Sequence, residues 1–145
     1  MIVRMPTSTI TFHLDAPPER VFDYIADIRN ESEWSKDITS VKLIGDEPIG
    51  EGTEFDTVYR GFGAMHLVIS EYQRAAHLAI DGDGPRIAMH FEMDLAPEGD
   101  GTSVTMLVDM NLRGAFKALA PMLKVGMPRE MAKRPGQFRA ALSGR

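Results

Sequence analysis

Residues 13–38 read HLDAPPERVFDYIADIRNESEWSKDI, and this stretch decides the fold. Residues 9–14, which lead into it, alternate threonine or histidine with a large apolar residue, the period of a strand with one buried face. Pro17 and Pro18 then end the strand. Because proline is tolerated in the first turn of a helix, where its missing N–H would have no partner, the two prolines predict a helix start.

The segment after the prolines predicts a short amphipathic helix. Val21, Ile25 and Ile28 recur at helical spacing and give this helix one apolar face. The polar residues 30–33 then break the pattern before Trp34, the single tryptophan of the chain. The opening therefore combines a strand, a proline-started helix, a polar break and a tryptophan in a fixed order.

That order resembles the opening of the START-like (SRPBCC) superfamily, the polyketide cyclase/dehydrase and lipid-transport group. The resemblance implies a helix-grip fold, in which a curved sheet holds a long helix. The superfamily includes ligand carriers, cyclases, quinone-binding proteins and co-chaperones, so the fold alone does not fix the function. The matching pieces are Leu14-Asp15-Ala16-Pro17, Val21-Phe22, Ile25-Ala26-Asp27 and Trp34.

Composition narrows the classes of protein. A chain of 145 residues with 43% hydrophobic and 26% charged residues fits one globular domain, residues 1–145. The net charge of −5 argues against a nucleic-acid partner, and the cations near the C-terminus are interpreted as the solvated face of a helix. Cysteine is absent, which excludes disulfides and thiolate chemistry. With no secretory signal and no apolar run of bilayer length, we expect a cytoplasmic protein without stable membrane insertion, a monomer or homodimer.

Alternating residues and turn signals predict an antiparallel meander after Trp34. Its two clearest strands are residues 87–95 and 104–112, in which every second residue is apolar. Short turns between such strands are typical of a sheet with one wet face and one covered face. The other predicted strands are residues 38–44, 53–59, 64–73 and a short one at 78–80.

The C-terminal segment, residues 116–142, keeps apolar residues at helical spacing and is expected to cover the sheet. Pro121, Pro128 and Pro135 interrupt it, and each proline costs about 3 kcal/mol inside a helix. One interpretation is two or three broken helices. We favour a helix that begins near Pro121, kinks at Pro128 with the prolines on its solvent side, and breaks at Pro135-Gly136.

The order of elements then predicts the fold class. A strand, a short helix, a meander and a long helix give an α+β domain, in which a curved antiparallel β-sheet is wrapped round the long C-terminal helix. This agrees with the helix-grip fold that the opening stretch implies.

Methionines concentrate on the inward side of the last two strands and on the facing stripe of the helix. Core packing is one explanation. The other is an adaptable apolar cavity between sheet and helix, of about 300–1,000 Å³, because thioether side chains reshape around irregular ligands. The resemblance makes this cavity as well supported as core packing. The expected ligand-binding residues are Trp34, Phe55, Tyr59, Met89, Phe91, Met93, Met106, Val108, Met110, Leu119, Leu123 and Met127.

Catalytic motifs are lacking. The chain has neither a nucleophile elbow nor a glycine-rich phosphate loop. No histidine has metal-ligand spacing to another histidine or to a carboxylate, so neither a metal site nor a cofactor is expected. Acid–base chemistry would need polar groups at the cavity wall, for which His66, Tyr59 and Tyr72 are the candidates. His66 lies in a strand that has apolar residues at both odd and even positions, so the inward face of this strand is ambiguous. A bulge or a shift of register would turn His66 toward the cavity.

Three functions therefore remain. The leading hypothesis is binding or transport of a small hydrophobic ligand, such as a lipid, a polyketide or an isoprenoid-like compound, in the cavity between sheet and helix. The alternative is an enzyme of the polyketide cyclase, aromatase or dehydratase type, which would use the same cavity and would need at least two titratable groups inside it. A third is an interaction module, for which the sequence offers no partner motif.

Overall fold

A seven-stranded antiparallel sheet and a long C-terminal helix dominate the computed structural model, which describes residues 7–144. The strands are β1 (Thr7–Leu14), β2 (Ile38–Ile44), β3 (Glu54–Tyr59), β4 (Gly63–Gln73), β5 (His77–Asp83), β6 (Ile87–Glu98) and β7 (Gly101–Leu112). The helices are α1 (Pro18–Ala26), α2 (Glu31–Trp34) and α3 (Ala120–Ser143), with 3-10 turns at Ile28–Asn30 and Gly114–Leu119.

Strands β2 to β7 form a meander, and β1 pairs with β7 at the edge of the sheet. The strand order is β1-β7-β6-β5-β4-β3-β2, and all neighbours are antiparallel. The sheet curves, and α3 packs on its inner face, where Met131 and Phe138 are buried. The predicted α+β helix-grip class is therefore confirmed.

The opening stretch folds largely as predicted. Helix α1 has Pro18 in its first turn, and Val21 and Phe22 have no exposed surface. The polar residues 30–33 do not form an irregular break, however. They end a 3-10 turn and form most of α2, because Asp27 caps that turn by accepting a hydrogen bond from the backbone N–H of Arg29 at 3.1 Å.

A bulge in β4 explains why this strand has apolar residues at both odd and even positions. Ile69 pairs with Ile80, but Glu71 pairs with Ala79, so β4 carries one extra residue at this point. The bulge turns Tyr72 toward the inner face after Ile69, where it packs edge-on against a ring of α1. His66 precedes the bulge and keeps its outward direction.

Helix α3 is continuous, and the predicted break at Pro135-Gly136 is wrong. The helix runs from Ala120 to Ser143 with Pro128 and Pro135 inside it. Each proline removes one backbone hydrogen bond, but burial on both sides of Pro135 outweighs this local cost. The buried residues of α3 are Met127, Met131, Phe138 and Leu142.

Candidate functional site

A cavity of about 370 Å³ lies between the inner face of the sheet and α3. This volume falls within the range of small-molecule sites. Most of its wall is apolar, and methionine contributes more lining residues than any other residue type. The methionines of the wall are Met65, Met89, Met106, Met110 and Met131.

The pairing of β6 with β7 builds the floor of the cavity. Met89 lies opposite Met110, and Phe91 lies opposite Val108, so that all four side chains point to the inner face. Two of the four are unbranched thioethers, which adopt many shapes at little cost. The floor can therefore adjust to the outline of a ligand.

One end of the cavity is polar. Glu31 from α2, Tyr59 from the end of β3 and Arg134 from α3 meet there, and we call these three residues the polar end. The hydroxyl of Tyr59 interacts with the Glu31 carboxyl and lowers its pKa, opposing the effect of burial. The guanidinium of Arg134 lies 4.9 Å from the centroid of the Trp34 ring, a cation–π contact.

The Glu31 carboxyl is held in an unusual state. Its burial raises its pKa from the ordinary value of 4.5 to about 7, although Tyr59 and Arg134 both favour the ionised form. Burial also raises the pKa of Tyr59 and lowers that of Arg134. At neutral pH the polar end therefore holds a carboxyl that both gives and takes a proton readily.

Glu31 and Arg134 do not form an ion pair. Within residues 7–144, no Lys or Arg nitrogen lies within 4.0 Å of the Glu31 carboxylate. Nη1 of Arg134 donates to Gln137 Oε1 at 2.9 Å, while Nε and Nη2 have no hydrogen-bond partner in that part of the chain. The Glu31 carboxylate, which can accept a hydrogen bond, and Nε and Nη2 of Arg134, which can donate one, are therefore separated at this end of the cavity.

Seven of the residues expected to bind ligand line this cavity, and five do not. Phe55 and Met93 have no exposed surface and pack in the core instead. Leu119 is 38% exposed, and Leu123 and Met127 lie beyond the end of the cavity on α3. The seven at the wall are Trp34, Tyr59, Met89, Phe91, Met106, Val108 and Met110.

Of the catalytic candidates, only Tyr59 reaches the cavity. His66 lies on the outer face of the sheet, where its ring nitrogens pair with Asp56 at 2.8 Å and Glu54 at 2.7 Å. Tyr72 packs against Phe22, with ring centroids 5.1 Å apart, and does not line the cavity. The other titratable residues at the cavity wall are Glu31, Asp37, Arg60, Glu130 and Arg134.

Sequence reasoning missed Glu31 and Arg134. Glu31 stands in a segment interpreted as a polar break, and nothing in the local pattern points to it. Arg134 carried a usable signal, because it follows Met131 by three residues and precedes Phe138 by four. A cation inside the apolar stripe of a helix faces the core side rather than solvent.

The four histidines of the chain share one arrangement on the outer face of the fold. Each ring has a nitrogen within 4.0 Å of at least one carboxylate oxygen. Asp94 and Glu71, for example, raise the pKa of His77 by hydrogen bonding to its two ring nitrogens. These pairs stabilise the outer face and take no part in the cavity.

Three possible metal ligands meet around His77. The spacing of these residues in the sequence did not predict the cluster. The ligating atoms of Glu71, His77 and Glu92 lie within 4.8 Å of one another, on three adjacent strands. Acid–histidine pairing recurs at His13, His66 and His90, however. The ring nitrogens of His77 are hydrogen-bonded to Glu71 and Asp94.

The pKa of Glu31 predicts a pH-dependent stability. Between pH 4.5 and about 7 the folded protein keeps a proton that the unfolded chain has released, so this group makes the protein less stable as the pH rises through that window. Partial exposure of the side chain limits the loss to about 2 kcal/mol. We expect Glu31→Gln to remove this component.

Urea unfolding of both proteins across the window measures the effect. The free energy of unfolding of the wild type, minus that of Glu31→Gln, should fall as the pH rises. The paired histidines are present in both proteins, so their contribution cancels in the difference. A difference that stays constant with pH would contradict the raised pKa.

None of the helices within residues 7–144 is long and apolar enough to cross a bilayer.

Comparison with known proteins connects this fold to a family. The family model described as polyketide cyclase / dehydrase and lipid transport matches residues 5–143. No curated protein matches the chain. Three similar solved structures each share less than 25% identity with this chain, so their likeness shows the fold alone.

Protein BH1534 of Bacillus halodurans has a TM-score of 0.71 and 18% identity, over 97% of this chain and 99% of that one. A START superfamily protein from Mycobacterium smegmatis has a TM-score of 0.67 and 14% identity, over 95% and 94% of the two chains. Ara h 8.0201 has a TM-score of 0.65 and 17% identity, over 93% of each chain. The START-like resemblance of the opening stretch is confirmed, and the chain belongs to the polyketide cyclase/dehydrase and lipid transport family.

Proposed function

We propose that the protein binds a small, mostly apolar molecule in the cavity between the sheet and α3. The observation that carries the proposal is the cavity itself, about 370 Å³ in volume, with five methionines in its wall and polar side chains gathered at one end. An apolar wall supplies affinity through the removal of apolar surface from water. A polar end supplies orientation.

The gap at the polar end favours a ligand whose polar group both donates and accepts hydrogen bonds. Such a group accepts from the guanidinium of Arg134 and donates to the carboxylate of Glu31, and so bridges two side chains that do not reach each other. A carboxylic acid, an enol or an alcohol meets this requirement. The rest of the molecule then lies along the methionines.

Filling part of the cavity with a larger side chain should weaken binding. We expect Val108→Trp to weaken binding of dodecanoic acid at least tenfold, because the larger ring fills space that the ligand would occupy. Leu107→Trp is the matched control, since Leu107 is the neighbouring residue of β7 and points to the opposite face. Isothermal titration calorimetry gives both dissociation constants. Equal affinity in the two variants would place the ligand elsewhere.

A second candidate function is acid–base catalysis at the polar end. The observation that favours it is the pKa of Glu31, about 7, which suits a general base at neutral pH. The carboxylate of Glu31 would take a proton from the carbon next to a ketone. The C–H electron pair would form a carbon–carbon double bond while the π pair of the C=O bond moves onto the oxygen, and Arg134 and Tyr59 would stabilise the resulting enolate oxygen.

Deuterium exchange separates the two functions. Decan-2-one is incubated with the protein in heavy water, and mass spectrometry follows deuterium at the carbons beside the carbonyl. An enzyme of this kind accelerates exchange, and Glu31→Gln removes the acceleration. A binding protein binds the ketone and leaves the exchange rate at its value in buffer.

A further inference from the structure

The cluster around His77 differs from the other histidine pairs in the number of its carboxylates. Glu71, Glu92 and Asp94 all lie near this one ring, whereas His66 has two carboxylates, one on each ring nitrogen. Within residues 7–144, no other three histidine or acidic side chains have ligand atoms within 4.8 Å of one another. A third carboxylate therefore approaches His77, although two are enough to hydrogen-bond both nitrogens of the ring.

The register of the sheet and the bulge in β4 bring these side chains together. Glu71 of β4 and Glu92 of β6 are both paired with Ala79 of β5, so they flank it on its two sides. His77 precedes Ala79 by two residues and shares its face. Glu71 follows the buried Ile69 by two residues and would share its inward direction in a regular strand, but the bulge between them turns Glu71 outward. The irregularity in β4 thus adds a ligand to the outer face.

Asp94 fixes the orientation of the His77 ring. Oδ1 of Asp94 lies 2.7 Å from Nδ1 of the ring, and the other nitrogen, Nε2, faces Oε2 of Glu71 at 2.5 Å. In metal sites, a ligating histidine has its second nitrogen hydrogen-bonded to a carboxylate or a carbonyl, which orients the ring and makes the ligating nitrogen more basic. Asp94 and His77 have this arrangement, and the His77 side chain is only 20% exposed.

The cluster carries more negative charge than its neighbours balance. A protonated His77 supplies one positive charge against three carboxylates. In the described part of the chain, no Lys or Arg nitrogen lies within 4.0 Å of Glu71, Glu92 or Asp94. His90 lies 3.5 Å from Glu92 but also holds a carboxylate of its own. A divalent cation would supply the charge that the protein does not.

We propose that Glu71, His77 and Glu92 bind a divalent transition-metal ion of the Zn²⁺ type. One imidazole nitrogen and two carboxylate oxygens suit Zn²⁺ and Co²⁺, whereas Mg²⁺ and Ca²⁺ prefer sites made of oxygen alone. In a tetrahedral Zn²⁺ site two ligand atoms lie about 3.4 Å apart, since each is about 2.1 Å from the ion. The separations in the cluster, 2.5 Å from Nε2 to Glu71 and at most 4.8 Å for the other pairs, lie on both sides of this value. Rotation of the two partly exposed glutamates closes the difference, and water completes the coordination.

The ion joins three neighbouring strands on the reverse side of the cavity wall. Ile80 and Phe91, which line the cavity, are adjacent in sequence to Ala79 and Glu92 and point to the opposite face of the sheet. Metal binding therefore braces this part of the wall from outside. The site shares no residue with the cavity, so metal binding is independent of the proposed function.

Isothermal titration of the whole chain with Zn²⁺ tests the proposal, in a slightly alkaline buffer because the ion displaces a proton from the ring. We expect the wild type to bind one Zn²⁺. Asp94→Asn should weaken binding about 10- to 100-fold, and His77→Gln should weaken it by at least as much. The matched control is His66→Gln, because His66 has a carboxylate on each nitrogen but belongs to no group of three ligands, and it should bind like the wild type. Circular dichroism checks that every variant is folded.

Paramagnetic Co²⁺ gives a second measurement, which needs no variant. It takes the same ligands as Zn²⁺, so it should broaden the amide signals of Glu71, His77 and Glu92 in nuclear magnetic resonance spectra and leave those of Glu54 and His66 sharp. The proposal is overturned if the wild type does not bind Zn²⁺, or if His66→Gln loses as much affinity as His77→Gln. It is also overturned if Ca²⁺ binds as tightly as Zn²⁺, since the cluster would then act only as an acidic surface, or if Co²⁺ broadens other signals and not these three.

Discussion

Replacing Phe138 by alanine is expected to lower the free energy of unfolding by about 3–5 kcal/mol. The Phe138 side chain is 1% exposed, its ring centroid lies 4.7 Å from that of Trp34, and it stacks on Phe12 at 6.2 Å. Truncation removes both ring contacts and leaves a void that the surrounding rings fill only in part. Phe138 thus joins α3 to both β1 and α2.

Denaturant unfolding measures the loss, and Met122→Ala is the matched control. Met122 lies on the same helix but is 70% exposed, so its truncation should change stability by no more than about 0.5 kcal/mol. The effect of Phe138→Ala should also concentrate beyond Pro135, because few other buried residues hold that end of the helix. Hydrogen exchange should therefore be faster at the amides of residues 136–143. Similar losses in both variants would mean that α3 is not anchored as described.

Replacing Arg134 by methionine is expected to weaken binding of dodecanoic acid about 10- to 100-fold. A hydrogen bond from a charged guanidinium contributes about 1.5–3 kcal/mol, and methionine keeps the apolar contact with Trp34 without the charge. Methyl dodecanoate has no proton to donate to Glu31 and cannot bridge the two side chains, so its weaker binding should change little. Isothermal titration calorimetry gives the four dissociation constants.

Arg129→Met is the control for this change. Arg129 is exposed on the same helix and does not line the cavity, so its loss should leave the affinity for dodecanoic acid unchanged. If Arg134→Met and Arg129→Met bind the acid equally well, the polar end does not recognise the ligand. The proposed function would then be reduced to apolar packing alone.

Much of the architecture could be predicted from the alternation of apolar and polar residues and from the glycine and proline residues between elements. Strand β2 has the predicted bounds, because alternating apolar residues end at a glycine turn. The inward residues of β6 and β7 follow from period two, since one face of each strand is covered. Helix α3 shows the opposite case. The intrinsic cost of Pro135 suggested a break, yet buried residues on both sides keep the helix whole.

The site was harder to predict, because its polar residues come from distant parts of the chain. Glu31 and Arg134 are 103 positions apart and meet only when α2 and α3 pack over the sheet. Periodicity identifies which side of an element is covered, and so it predicted Met89, Met106 and Met110, which line the cavity, but also Met93 and Met127, which do not. It does not identify which polar side chain will share that space. His66 was a candidate for the same reason, since the position of the bulge in β4 could not be inferred from sequence.

Contacts between ligand and methionine methyl groups test the central claim most directly. The protein is prepared with 13C-methyl methionine, and nuclear Overhauser effects to bound dodecanoic acid are recorded. We predict contacts with the methyl groups of Met89, Met106 and Met110 at the cavity floor, and none with Met122, which is 70% exposed on the far side of α3. Contacts with Met122 alone, or saturable binding that reaches none of the three floor methionines, would contradict a ligand site between the sheet and the helix.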